Sequence, residues 1–255
     1  MPIINKIFII QSLKTIDPLE SGKELSSRLS SAIPVDFKDV ETDIEVFEHL
    51  DNVQAEISET NEKYVIHFVC HGNEDGIGIF DKSDNVSFIA WEDLRERFRD
   101  IYLATKQRVM TSFSSCEGLN VVKLIASFKP CPFDSVTGSF EKISFRDSVD
   151  GYEHFYNKIY NGETIEAAME ETRRKYPSMG FSAFTTQKLV KIGWDGYLTT
   201  QFTPEKVKER KAQIITAVTS LKGSITSREI EIIDKKLSKK EATKDFEHYK
   251  KIFFS

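Results

Sequence analysis

Two stretches decide the reading of this chain: Tyr64-Val65-Ile66-His67-Phe68-Val69-Cys70-His71-Gly72 and Arg108-Val109-Met110-Thr111-Ser112-Phe113-Ser114-Ser115-Cys116-Glu117-Gly118. Each is an apolar run that stops at a reactive residue, His71 in the first and Cys116 in the second. Between them lie a Gly-rich segment, a further apolar stretch and one amphipathic helical pattern. Two parallel strands joined by a crossover fit that order. His71 and Cys116 then stand at the carboxyl end of one sheet, the edge where open α/β sheets bind ligands and do chemistry.

Working outward toward the N-terminus, Lys6 to Gln11 reads as a first buried strand. Asp17-Pro18-Leu19-Glu20 has the form of a helix start, with Asp17 as N-cap and Pro18 at the first helical position. Leu19, Leu25 and Leu29 supply that helix's apolar side. Ile33 to Phe37 reads as a short strand. Thr42 or Asp43 caps a helix in which Ile44, Phe47, Leu50, Val53 and Ile57 recur at spacings of three and four. Inside the decisive region, Ile77–Phe80 and Val86–Ile89 flank an Asp-Lys-Ser-Asp-Asn turn and form a hairpin. Trp91 to Leu103 is a helix with Trp91, Leu94, Phe98 and Ile101 on one side.

Beyond Cys116, Glu117 to Phe128 has a helical pattern that Pro130-Cys131-Pro132 ends. Phe133 to Phe140 reads as a strand. A helix beginning at Ser148 or Asp150 carries Tyr152, Phe155, Tyr156 and Ile159. Asn161-Gly162 ends it and Thr164 caps the next. Phe181–Thr186 and Leu189–Trp194 read as late strands. From Pro204 the composition changes to dense Lys and Glu with almost no Gly. This sets a boundary near Phe202, with helices at about 204–222 and 226–252. The domains expected are therefore 1–202 and a helical extension, 203–255. The fold class expected is an α/β/α sandwich with a mostly parallel central sheet plus that extension.

Bulk properties narrow the function. The chain has 255 residues, of which 40% are hydrophobic and 29% charged, a globular rather than disordered composition. Net charge is -5 and the first two hundred residues have no basic stripe, which argues against nucleic acid as a partner. No apolar run is long enough to span a bilayer, and the N-terminus lacks the form of a signal peptide. Three cysteines without a framework of spacings fit a reduced, cytoplasmic setting.

A cysteine nucleophile needs a thiolate, a nearby base and donors for the developing oxyanion. Cys116, where a strand gives way to a helical pattern, can have all three. His71 supplies the base if the two strands are neighbours, and the N–H groups of Gly72 and Cys116 supply the donors. The competing reading makes Cys116 a buried core thiol and His71 a hydrogen-bonded strand end. For His67, on the same strand face as His71, packing is the default. Cys70 falls on the other face and reads as core, and Cys131 as incidental. Cys70, His71 and His67 lack a further Cys/His cluster to complete a zinc site. His49, His154 and His248 sit on helical patterns, for which a solvated face is the default. Asp147 starts a helix on one reading and binds substrate on another.

The paired motifs resemble those of the caspase-like cysteine proteases, and Ser114-Ser115-Cys116-Glu117 is most similar to the motif of bacterial CHAT-domain proteases. His71 and Cys116 are 45 residues apart, close to the roughly 50 expected of caspases. The run Asp147-Ser148-Val149, His154-Phe155-Tyr156, Asn161-Gly162 and Ile165-Glu166-Ala167-Ala168 extends the resemblance, which covers about residues 1–200. The Trp usual before that Asp is absent. The resemblance implies a cysteine endopeptidase with catalytic His71 and Cys116 and no metal or organic cofactor. It would cut a specific partner protein in bacterial defence or signalling. Where relatives have basic specificity it also implies an acid in the first specificity pocket, for which Asp147 is the candidate, since the other known place is occupied by Ser114; the alternative is a Leu- or Met-type pocket lined by Phe. The alternative is a catalytically silent scaffold of the same fold, acting as a protein-interaction module, with the C-terminal helices docking a regulatory partner.

Overall fold

The computed structural model describes residues 4–17, 20–60, 62–124 and 130–254. They divide into two compact units. One holds the described residues up to Leu124 together with Cys131–Thr186, and the other holds Pro130 and those from Gln187 onward.

The first unit is built on eight strands. β1 (Lys6–Ser12), β2 (Val35–Asp39), β3 (Tyr64–Gly72), β6 (Val109–Ser114), β7 (Phe133–Ser139) and β8 (Phe181–Thr185) form one sheet in the order β2-β1-β3-β6-β7-β8. All of its pairings are parallel except β7 with β8. The hairpin β4 (Gly76–Phe80) and β5 (Val86–Ala90) joins the end of β3 antiparallel, through His71↔Gly78 and Gly72↔Ile77. The strands alternate between two apolar layers, as buried strands with helices on both faces must. On one face Ile7, Ile9, Val65, Val69 and Met110 pack with α1 (Ser21–Leu29), α4 (Phe145–Tyr160) and α5 (Ile165–Lys175). On the other, Phe68 stacks on Phe113 at 5.4 Å and meets Phe98 edge-on at 6.2 Å; Phe98 belongs to α3 (Trp91–Thr105). α2 (Asp43–Ser58) closes this side, with Val46, Leu50, Val53 and Ile57 buried. Its start is a capping box between Thr42 and Glu45.

Several local expectations fail for physical reasons. Asp17 is not an N-cap. α1 begins at Ser21 with Glu20 before it, while Asp17 turns its carboxylate to another partner; Pro18 and Leu19 lie outside the described residues. In α2 the buried stripe is shifted, so that Ile44 is exposed and His49, expected in solvent, is buried edge-on to Phe8. The α-helix expected from Glu117 is a 3-10 turn over Gly118–Leu124, and the 125–128 part of that expectation lies outside the described residues. α4 begins at Phe145, where Ser144 Oγ caps the N–H of Asp147, rather than at Ser148.

Leu189–Trp194 is not a strand. It belongs to α6 (Thr186–Gln201), and Leu189, Val190 and Trp194 are buried while Ile192 is exposed, the pattern of one helical face and not of alternation. The division between the units thus falls a helix earlier than the sequence boundary near Phe202. α7 (Pro204–Lys222) follows, capped by Thr203. The single helix expected at 226–252 is three: α8 (Ser227–Lys236), α9 (Lys239–Lys244) and α10 (Phe246–Phe254). Ser238 breaks the run by accepting the Glu241 N–H as an N-cap. Trp194 of α6 packs on Phe246 and Tyr249 of α10 at 5.3 and 5.1 Å. No helix among the described residues is long and apolar enough to cross a membrane.

Candidate active site

β3 and β6 pair in parallel from Val65↔Met110 to Val69↔Ser114. Two further steps of that register bring His71 level with Cys116. Val65, His67 and Val69 face α4 from β3, as Ser112 and Ser114 do from β6, and His71 continues the β3 alternation to meet Phe145; β6 itself ends at Ser114, two residues before Cys116. The strand ends touch. A side-chain carbon added to Gly72 would lie 2.7 Å from the Cys116 carbonyl oxygen and 3.1 Å from Ser115 Cβ, so only glycine lets the backbones approach this closely.

After Ser115 the chain reverses. Glu117 takes the left-handed conformation at φ 58° and donates its N–H to the Glu141 carbonyl at 3.2 Å. The Gly118 N–H donates back to Ser115 O at 3.3 Å. A Cβ on Gly118 would meet Phe113 Cβ at 2.5 Å, so the reversal requires glycine there. Among the described residues the Cys116 N–H has no acceptor, which leaves it free to donate to a ligand. A 3-10 turn and not an α-helix follows, so Cys116 does not stand at an α-helix N-terminus; seven residues of 3-10 geometry align few peptide dipoles.

The three cysteines differ in kind. Cys116 is half-exposed, whereas Cys70 and Cys131 are buried. Burial pushes the Cys131 thiol up to about 12 and drives that of Cys70 higher still, with proximity to Cys116 adding to the effect on Cys70. Both are neutral thiols at physiological pH. The His71 ring is 35% exposed and is flanked edge-on by Phe80 at 5.4 Å and Phe145 at 5.5 Å. Its Nε2 lies 2.8 Å from Asp17 Oδ2.

Beneath the site lies a sealed polar layer. His67 is wholly buried, with Nε2 2.7 Å from Ser114 Oγ and Nδ1 2.8 Å from Tyr156 Oη. Thr137 donates to Ser112 Oγ at 2.7 Å, and Tyr152 donates to the Phe113 carbonyl at 3.1 Å. Burial pushes the His67 imidazole down to about 3, so it is neutral and cannot reach a substrate. Ser114 is one half of this layer.

Asp147 is half-buried in the first turn of α4, two residues past Phe145. Two helical residues are roughly 200° of rotation, so Asp147 lies on the far side of the helix from Phe145, the residue that flanks His71. It has no side-chain partner among the described residues. Asp17 is the residue sequence reasoning missed. It follows β1, whose carboxyl end abuts β3 at the same sheet edge, a pairing that the sequence pattern alone does not give. The Asp-Pro pair took precedence as a capping signature. No group of three or more His, Cys, Asp or Glu among the described residues is arranged to hold a metal ion.

No protein-family model matches the chain, and no curated protein is similar to it in sequence. Among solved structures it is similar to the Drosophila initiator caspase Dronc, at 9% identity and a TM-score of 0.46 over 71% of this chain and 79% of that one. It is also similar to Chaetomium thermophilum Raptor, at 15% identity and a TM-score of 0.33 over 47% of this chain, which spans 12% of that protein. Neither likeness bears on activity or partners.

Proposed function

We propose that this protein is a cysteine endopeptidase in which Cys116 is the nucleophile and His71 the general base. The observation that supports the reading is the close approach of Gly72 to Cys116, which sets Cys116 and His71, both half-exposed, at the ends of neighbouring strands. His71 takes the Cys116 proton, and the thiolate attacks the scissile carbonyl carbon. The oxyanion is bound by the N–H groups of Cys116 and Gly72. Collapse expels the amine, which His71 protonates, leaving an acyl-enzyme. Water, deprotonated by His71, then releases the acid and restores the thiol. No metal or organic cofactor takes part.

The motif resemblance to CHAT proteases supports the narrower reading: cleavage of one partner protein in bacterial defence or signalling, within the cytoplasm. Asp147 is the carboxylate assigned to substrate selection. By that resemblance it would pair with a Lys or Arg before the scissile bond through charge-assisted hydrogen bonds.

Labelling with a peptidyl electrophile followed by mass spectrometry tests the nucleophile. One adduct on Cys116 is expected, none on the neutral, buried Cys70 and Cys131, and none on any cysteine in Cys116→Ala. Labelling of Cys70 or Cys131 in the native protein would refute the assignment. A positional peptide library tests Asp147: the wild type should prefer a basic residue, and Asp147→Ala should lose that preference roughly tenfold. An undiminished basic preference in the variant removes Asp147 from the site.

A further inference from the structure

We propose that Asp17 is the positioning residue of His71, fixing which ring nitrogen faces the thiol. The proposal rests on the endopeptidase reading and adds a third residue to its machinery. The argument is one of hydrogen-bond chemistry. Asp17 Oδ2 lies 2.8 Å from His71 Nε2, and an ionised carboxylate can only accept. The proton of the neutral ring is therefore on Nε2, and the lone pair is on Nδ1. Nδ1 is then the sole atom of His71 that can take the Cys116 proton. Once it has done so, the imidazolium stays paired with the carboxylate through the step in which charge develops.

The carboxylate is itself held. Its side chain is 12% exposed. The same Oδ2 accepts the Lys14 N–H at 2.7 Å, while the Asp17 N–H donates to the Lys14 carbonyl at 3.0 Å, so the loop closes on itself. Thr15, within that turn, is clamped by Asp84 of the β4–β5 turn, which accepts the Thr15 N–H and Oγ1–H at 2.8 Å each. The loop after β1 is thus tied to the hairpin that continues from His71 itself.

The experiment uses the full chain and two independent readouts on the wild type, Asp17→Ala, Asp17→Asn and Asp84→Ala. Imidazole nitrogen NMR, with the His71 signal identified by its loss in His71→Ala, should show the wild-type ring protonated on Nε2 and bare on Nδ1. Asp17→Ala should give a mixture of tautomers. In peptide cleavage, Asp17→Ala should lower kcat roughly a hundredfold with KM within about twofold, the mark of a residue acting on the chemical step. Asp17→Asn should fall between, and Asp84→Ala should lose less than Asp17→Ala. A wild-type ring protonated on Nδ1, or a kcat for Asp17→Ala within about threefold of wild type, would overturn the proposal. If the tautomer is as stated and the wild type cleaves nothing, the positional assignment of the ring stands and the endopeptidase reading fails.

Discussion

At the scale of single residues, the proposed site divides into groups assigned to react and groups sealed away from it. His67 belongs to the second kind, and its burial has a measurable cost. In the unfolded chain it takes a proton near pH 6.5, but in the native protein it does so only near pH 3. Between those values the unfolded state binds more protons, so native stability is full above about pH 6.5 and falls as pH drops, by about 1.4 kcal/mol per unit from this residue. Urea unfolding of the wild type and His67→Asn between pH 7 and pH 4 checks this. The wild type should lose stability more steeply, whereas parallel slopes would mean that His67 is not neutral and sealed. That His71 and Cys116 lie at neighbouring strand ends was legible in the sequence because each ends an apolar run. Asp17 was not, because Asp-Pro is a strong local capping signal and only the β1–β3 pairing reveals the nearer partner.

At the scale of elements, the site depends on how two strand ends meet. Apolar periodicity located β3 and β6 and the hairpin between them, since buried strands leave a strong pattern. It could not distinguish the 3-10 turn after Cys116 from an α-helix. That difference is set by the left-handed Glu117 and by the packing of Gly118 under Phe113, both tertiary effects. It also misread Leu189–Trp194, a short apolar run of the kind in which strand and buried helix look alike. The meeting of the strand ends makes Gly72 a sharp test. A methyl group there would collide with backbone, the Cys116 carbonyl, which cannot rotate away. Gly72→Ala should cost about 1–3 kcal/mol in thermal unfolding and lower peptide cleavage roughly a hundredfold. Activity within a few-fold of wild type would contradict the geometry on which the catalytic reading stands.

At the scale of the whole molecule, two compact units share the chain, and the boundary lies at the start of α6. The compositional change at Pro204 marks the more polar helices but not the unit, because α6 still carries an apolar face. Trp194 is only 5% exposed, and Phe246 and Tyr249 cover it from α10. A chain ending after Phe202 would strip Trp194 of that cover. Gel filtration and dye binding should find it aggregating and exposing apolar surface more than a chain ending after Thr186. The reverse ranking would show that α6 belongs with the first unit. Catalysis itself is tested most directly by mass spectrometry of new peptide ends. A bacterial proteome is incubated with the wild type or with Cys116→Ala. The account predicts a small set of new N-termini with the wild type and none with the variant; no new ends with the wild type, or the same ends with both, would contradict it.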